Sequence, residues 1–315
     1  MRRGFCRMGM LLATTAWCLL PGGCTESARR PGKLRVIATY SILGDLVQSV
    51  AGENAEVVTL VGPDGDAHTF EPTPNDGIAI AGADVVFLNG IGFETWLDKL
   101  HSSSRSKARR VVVTAGLKLR HGGEDRHDLH SPGPHHHVHD PHVWHDVQNA
   151  AHMVGLICDK LTEADPAHAE TYRVNAAATL GRLQLLDVWV VARIDMLPRQ
   201  NRKLVTGHDT FGYFAERYGF DVVGTALESV STEASDPSPA TFAKLVEEVK
   251  RAKVPAIFAE NVHNPKLMQR LATEAGVRLA PPLYTDALGK PGSNGDTYEK
   301  MIRHNVTAIV EALKP

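Results

Sequence analysis

An α/β fold of two Rossmann-like lobes, with mostly parallel sheets and one long rigid helix joining them, is predicted by three features of the 315-residue sequence. Short β-branched runs alternate with stretches of helical periodicity, as in βαβ units. The alternation stops and restarts after residue 200, so the pattern occurs twice. Between the two series, residues 166–197 keep apolar side chains at helical spacing, with Gly181 the one internal breaker.

In the first series the strand-like runs are 34–39, 56–61, 84–89 and 110–115, with helical stretches at 43–51, 75–81 and 95–100. Asp165 is expected to cap the long helix and Pro198 to stop it. At about 1.5 Å per residue it would span roughly 48 Å, longer than one lobe requires. The heptads of a coiled-coil arm are missing, so it reads as a spine. The second series has strand-like runs at 203–206, 221–225, 256–259 and 278–281, and helices at 210–218, 239–252 and 264–275. Ser238 can cap the middle one, with Pro239 in its first turn. The expected organisation is a signal peptide (1–23), a tether (24–32), a first lobe (33–164), the linking helix (165–198) and a second lobe (199–315).

The beginning of the chain reads as an export signal, with Arg2, Arg3 and Arg7 ahead of the apolar stretch 8–20 and the small residues before Cys24. Cys24 after Gly22-Gly23 resembles a bacterial lipobox, which implies lipidation and a periplasmic or other extracytoplasmic location; Pro21 departs from that pattern. Ordinary cleavage nearby is the alternative, and the Arg2-Arg3 pair leaves Sec and Tat export both open. Cys6 and Cys18 fall in the signal, so Cys158 alone remains and no disulfide framework is expected. Its setting, MVGLIC, suggests a buried helix residue. A net charge of −2 argues against a nucleic-acid partner, which calls for a basic field.

Sixteen histidines stand out, concentrated between His121 and His145. The stretch 121–141 is rich in Gly, Pro, Asp and His and nearly free of apolar residues, so it cannot bury a core and is expected to be a mobile loop. His121, His127, His130, His135, His136, His137 and His139 form this auxiliary tract, and His145 either joins it or packs elsewhere. Four further positions stand in loops after strands or close behind the His-rich segment: His68 in DGDAHTF, His142 in DPHVW, His208 in TGHDTF and Asp286 in YTDALG. In open α/β sheets ligands gather beyond the carboxyl ends of strands. Three imidazoles and a carboxylate suit tetrahedral Zn²⁺; Mn²⁺ favours more oxygen, and Cu²⁺ competes in vitro. The residues alone leave the choice of ligands open, and no local metal motif such as HExxH or CxxC occurs. A zinc hydrolase would need an open coordination position and a base, for which Glu260 in FAEN is the one candidate; Glu260 otherwise orients a ligand.

The segments VIATYSILGDLVQSVAG, GPDGDAHTFEPTPND, DPHVWHD, TGHDTFGYFAERYG, FAENVHNPKLMQRLATEAGV and YTDALG occur in this order along nearly the whole mature chain. Together they resemble the zinc/manganese-binding receptors of bacterial ABC importers, the ZnuA/TroA-like family. The resemblance implies that His68, His142, His208 and Asp286 hold one ion between the lobes. Such a filled shell favours capture over catalysis, so the protein is expected to be no enzyme, and it is expected to be a monomer. The resemblance also implies an ABC permease and its ATPase as partners, allows a metallochaperone, and implies delivery of Zn²⁺ from outside the membrane. His at position 208 and the His-rich insert resemble zinc-type members, whereas manganese-type members tend to carry Glu there. A manganese receptor, or a zinc chaperone or adhesin on the same fold, is the alternative. His145 departs from the family, which commonly has Leu after DPHVW.

Overall fold

A computed structural model describes Met1 and residues 33–122, 139–227, 229–233 and 236–315. The signal segment 2–23, Cys24, the tether, and His127, His130, His135, His136 and His137 lie outside the described residues.

β-Branched and aliphatic runs build the first sheet from β1 (Leu34–Tyr40), β2 (Ala55–Val61), β3 (Val85–Leu88) and β4 (Arg109–Val112). The strands lie in the order β2-β1-β3-β4 and all pair in parallel. Strand order reverses beside β1, so the loops leaving β1 and β3 part and open a crevice at the carboxyl edge. Helices α1 (Ser41–Ala51), α2 (Pro74–Ala81) and α3 (Leu97–Ser103) make the connections. Thr73 and Asp76 cap α2 reciprocally, with Pro74 in its first turn.

In the second lobe β5 (Lys203–Thr206) pairs in parallel with β6 (Asp221–Thr225), and β7 (Ala256–Glu260) with β8 (Arg278–Leu283). β5 lies alongside β7, and each pair shifts register once, after Leu204 and after Phe258. Helices α6 (Gly212–Tyr218), α7 (Pro239–Ala252) and α8 (Lys266–Ala275) complete it; Ser238 caps α7 as expected.

α4 (Val147–Ala164) buries Cys158 against the core, as its setting suggests, though its extent is not legible in the sequence, and α9 (Tyr298–Leu313) is an element the sequence does not announce. The long helix is also shorter than its periodicity implies. A tight turn, Pro166–His168, precedes α5 (Ala169–Ile194), whose 26 residues span about 39 Å. Asp165 does not cap it; its carboxylate accepts hydrogen bonds from Tyr172 Oη at 2.8 Å and from His168 Nδ1 at 2.7 Å. α5 buries Tyr172, Ala176, Thr179, Leu183, Leu186, Val190 and Ile194, one side at three- and four-residue spacing, against α1, α4 and α9. It therefore touches helices from both halves of the chain.

Candidate metal centre

Loops beyond β2, β5 and β8, with a tight turn ahead of α4, converge over an aromatic floor of Tyr40, Phe93 and Trp144. On the loop after β2, Asp66 Oδ1 accepts the His68 backbone N–H at 2.9 Å, and Trp96 Nε1 donates to the Ala67 carbonyl at 2.8 Å. These bonds turn the His68 ring onto Phe93, 4.7 Å between centroids. His142 is held from behind by Asp140, whose Oδ1 accepts both its backbone N–H at 3.0 Å and its Nδ1–H at 2.8 Å. Arg120 secures Asp140 in turn at 2.8 Å. Trp144 Nε1 donates to the Thr285 carbonyl at 2.9 Å, tying this turn to the loop after β8.

His208 repeats the arrangement from the second lobe. Glu260, at the end of β7, accepts its backbone N–H on Oε1 at 2.9 Å and its Nδ1–H on Oε2 at 2.6 Å. Gly207 permits this approach, since a Cβ there would stand 2.8 Å from Glu260 Oε1. A carboxylate only accepts, so both Nδ1 atoms carry a hydrogen, and each Nε2 faces inward and offers a lone pair whenever its ring is neutral.

Metal-capable atoms of His68, His142, His208 and Asp286 lie within 4.8 Å of one another, and all four residues are buried. Nε2 of His142 stands 3.4 Å from that of His68 and 3.2 Å from that of His208. Asp286 approaches His208 at 3.2 Å, His142 at 3.5 Å and His68 at 4.0 Å. A tetrahedron with bonds of 2.0–2.1 Å has edges of about 3.3 Å, close to these separations. Both Asp286 oxygens are buried and accept no conventional hydrogen bond among the described residues. Once His208 gives up its proton, lone pairs face lone pairs in a dry pocket, an arrangement that calls for a cation.

Protonation follows the same geometry. Burial holds the His68 pKa down at about 3, so its ring is a neutral donor. Burial also disfavours the charged form of His208, but Glu260 and Asp286 outweigh it and push that pKa well above the usual imidazole value. Asp286 would be raised by burial, yet His208 and His142 hold it far below the ordinary carboxylate range.

The remaining histidines divide. His145 belongs to neither the centre nor the tract: it is fully buried, its ring 4.6 Å from Phe211 and its Nε2 3.2 Å from Thr210 Oγ1. His121 and His139 pair across an antiparallel bridge with stacked rings, so both described ends of the His-rich segment are fixed. His263, which no motif in the sequence singles out, stands beside Glu260 and His208. The N-V-H turn after FAE was the available signal, but direction from a turn is set by the irregular end of β7.

Residues 36–312 match the family model described as the periplasmic zinc-uptake complex component A, ZnuA. The chain is 35% identical over 301 residues to the manganese-binding lipoprotein MntA of Halalkalibacterium halodurans, covering 94% of this chain and 95% of that protein. It is 29% identical over 314 residues to the iron-binding protein YfeA of Yersinia pestis, covering 98% and 96%. Among solved structures, the periplasmic zinc binding protein TroA from Treponema pallidum superposes with a TM-score of 0.80 at 29% identity, over 90% of this chain and all of that one. A Mn-bound periplasmic metal binding protein from candidatus Liberibacter asiaticus gives 0.77 at 27% identity, over 89% of this chain and all of that one.

Proposed function

Because the chain belongs to the ZnuA family of periplasmic metal-uptake components, we propose that its buried centre captures one Zn²⁺ on His68, His142, His208 and Asp286 for handover to a membrane permease. The protein is an extracytoplasmic substrate-binding component of a metal ABC importer and not an enzyme. We read Cys24 as its lipid anchor, by analogy with relatives named lipoproteins.

The observation that carries the reading is Asp286, a charged carboxylate with both oxygens dry and facing three imidazoles. With four protein donors the shell of a tetrahedral ion is full, which suits retention; a catalytic zinc keeps a position for water. Asp140 and Glu260 fix the tautomers and strengthen the donors, as outer-shell carboxylates do.

Manganese is the second reading. Asp286 turns one oxygen towards His142 and the other towards His208, so it can bind through both and supply the extra oxygen Mn²⁺ favours. The name of the Halalkalibacterium relative points the same way.

The test has two parts. Titration of the purified chain with Zn²⁺ should give one tight equivalent, and His208→Ala should weaken it beyond the 10–100-fold typical of losing an outer-shell partner. Retained tight binding would remove His208 from the site. In vitro affinity favours Zn²⁺ over Mn²⁺ at almost any such site. Cellular zinc and manganese content in a strain lacking the gene therefore decides the cargo: a zinc deficit supports the first reading, a manganese deficit the second.

A further inference from the structure

The four proposed ligands are at most 3% exposed, so none of them offers a cation direct contact from solvent in this structure. His263 touches both solvent and the centre. Its side chain is 23% exposed, yet Nε2 itself is buried and makes no hydrogen bond among the described residues. That nitrogen faces Glu260 Oε2 at 3.8 Å, and the ring lies 5.5 Å from that of His208. His208, Glu260 and His263 thus make a second cluster of metal-capable atoms within 4.8 Å of one another. Glu260 Oε2 accepts one bond from His208 Nδ1, and a carboxylate oxygen keeps a second lone pair. A cavity of about 180 Å³ opens on Glu260 and His263, with Gly207, Ala226 and Thr232 in its wall and the exposed Asp236 lining it as well.

We propose that His263 and Glu260 form a transient loading site, where a divalent cation is held by His263 Nε2 and Glu260 Oε2 before it passes His208 into the buried quartet. The proposal rests on the receptor reading above. Two protein donors 3.8 Å apart are wider than the edge of about 3.3 Å in a closed tetrahedral shell. Water completes the coordination, the ion exchanges readily, and the site serves transit, not storage. Asp236 adds negative charge where the cation arrives.

A site on the path lowers the barrier in both directions and leaves the end states alone. Zn²⁺ association and dissociation are followed by stopped flow in the full chain, using the fluorescence of Trp144, whose ring lies 5.4 Å from that of His142. His263→Gln and His263→Leu should slow both rates by a similar factor, several-fold or more, with Kd unchanged within twofold. Most substitutions at a binding site act on dissociation alone. Faster dissociation with unchanged association would make His263 a mere support for Glu260 and overturn the proposal, as would unchanged rates. A second measurement needs no substitution: with the quartet filled by Zn²⁺, added Co²⁺ should broaden the His263 ring resonance, and an undisturbed resonance overturns the proposal. Failure of the wild-type chain to bind one Zn²⁺ would instead refute the receptor reading itself.

Discussion

His145 and His208 are both fully buried, yet their surroundings drive their protonation in opposite directions. Among the described residues His145 has no carboxylate partner, and burial lowers its pKa to about 3. A folded value below the unfolded one means that stability is lost as pH falls from about 6.5 towards 3. Between pH 7.5 and pH 5, urea unfolding of the metal-free wild type should lose about 2 kcal/mol more than that of His145→Leu. Equal losses would mean that water reaches the ring. His208 is the opposite case, its pKa raised by Glu260 and Asp286 against burial. Its contribution to the metal-free fold is full below the unfolded pKa and fades as pH rises through the folded one. Its proton must leave before Nε2 can bind metal, so loading at neutral pH should release about one proton and tighten as pH rises. Calorimetry in buffers of differing ionisation enthalpy reads this directly; no release would mean that His208 is already neutral. His68, His208 and Asp286 could be singled out as candidates because loops at strand ends are where an α/β sheet gathers chemistry, and the family resemblance chose among them. His145 was not, because DPHVWHD reads as polar while its tight turn drives Val143, Trp144 and His145 inward together. His263 was missed because a register shift, invisible in composition, aims the end of β7.

At the scale of elements, α5 is fastened to α6 through Asp187. Its carboxylate accepts from Arg217 at 2.5 Å and from Tyr218 Oη at 2.8 Å, with the carboxylate mostly shielded. Asp187→Ala leaves both donors short of an acceptor and should cost about 1–3 kcal/mol in chemical denaturation. A loss below about 0.5 kcal/mol would class the contact with solvated surface pairs. The β-branched runs and the Ser238-Pro239 signal made the strands and α7 readable, since local propensity and tertiary packing agree there. They disagree at the head of α5. Asp165 has the right identity for a cap, but Tyr172 and His168 engage its carboxylate, and the Pro166 turn winds tighter than an α-helix.

Across the whole molecule, an ion bound only by the folded state stabilises it by mass action. Free Zn²⁺ at a thousand times Kd should add about 4 kcal/mol, raising Tm by roughly ten degrees. A chelator should reverse the shift, and His208→Ala should show almost none; a shift that survives in the variant would place the stabilising ion elsewhere. The His121–His139 bridge has a different consequence. It sets the described ends of the His-rich segment side by side, so the fold meets residues 123–138 as a pair of adjacent ends. Closing a flexible insert costs only about 0.6 kcal/mol more for each doubling of its length. The bridge is therefore a socket into which a fluorescent protein could be spliced. Asp140, the neighbour of His139, grips His142, so the splice point sits one residue from the hydrogen bond that orients the His142 ring. A chimera built there would turn the receptor into an optical gauge of free metal.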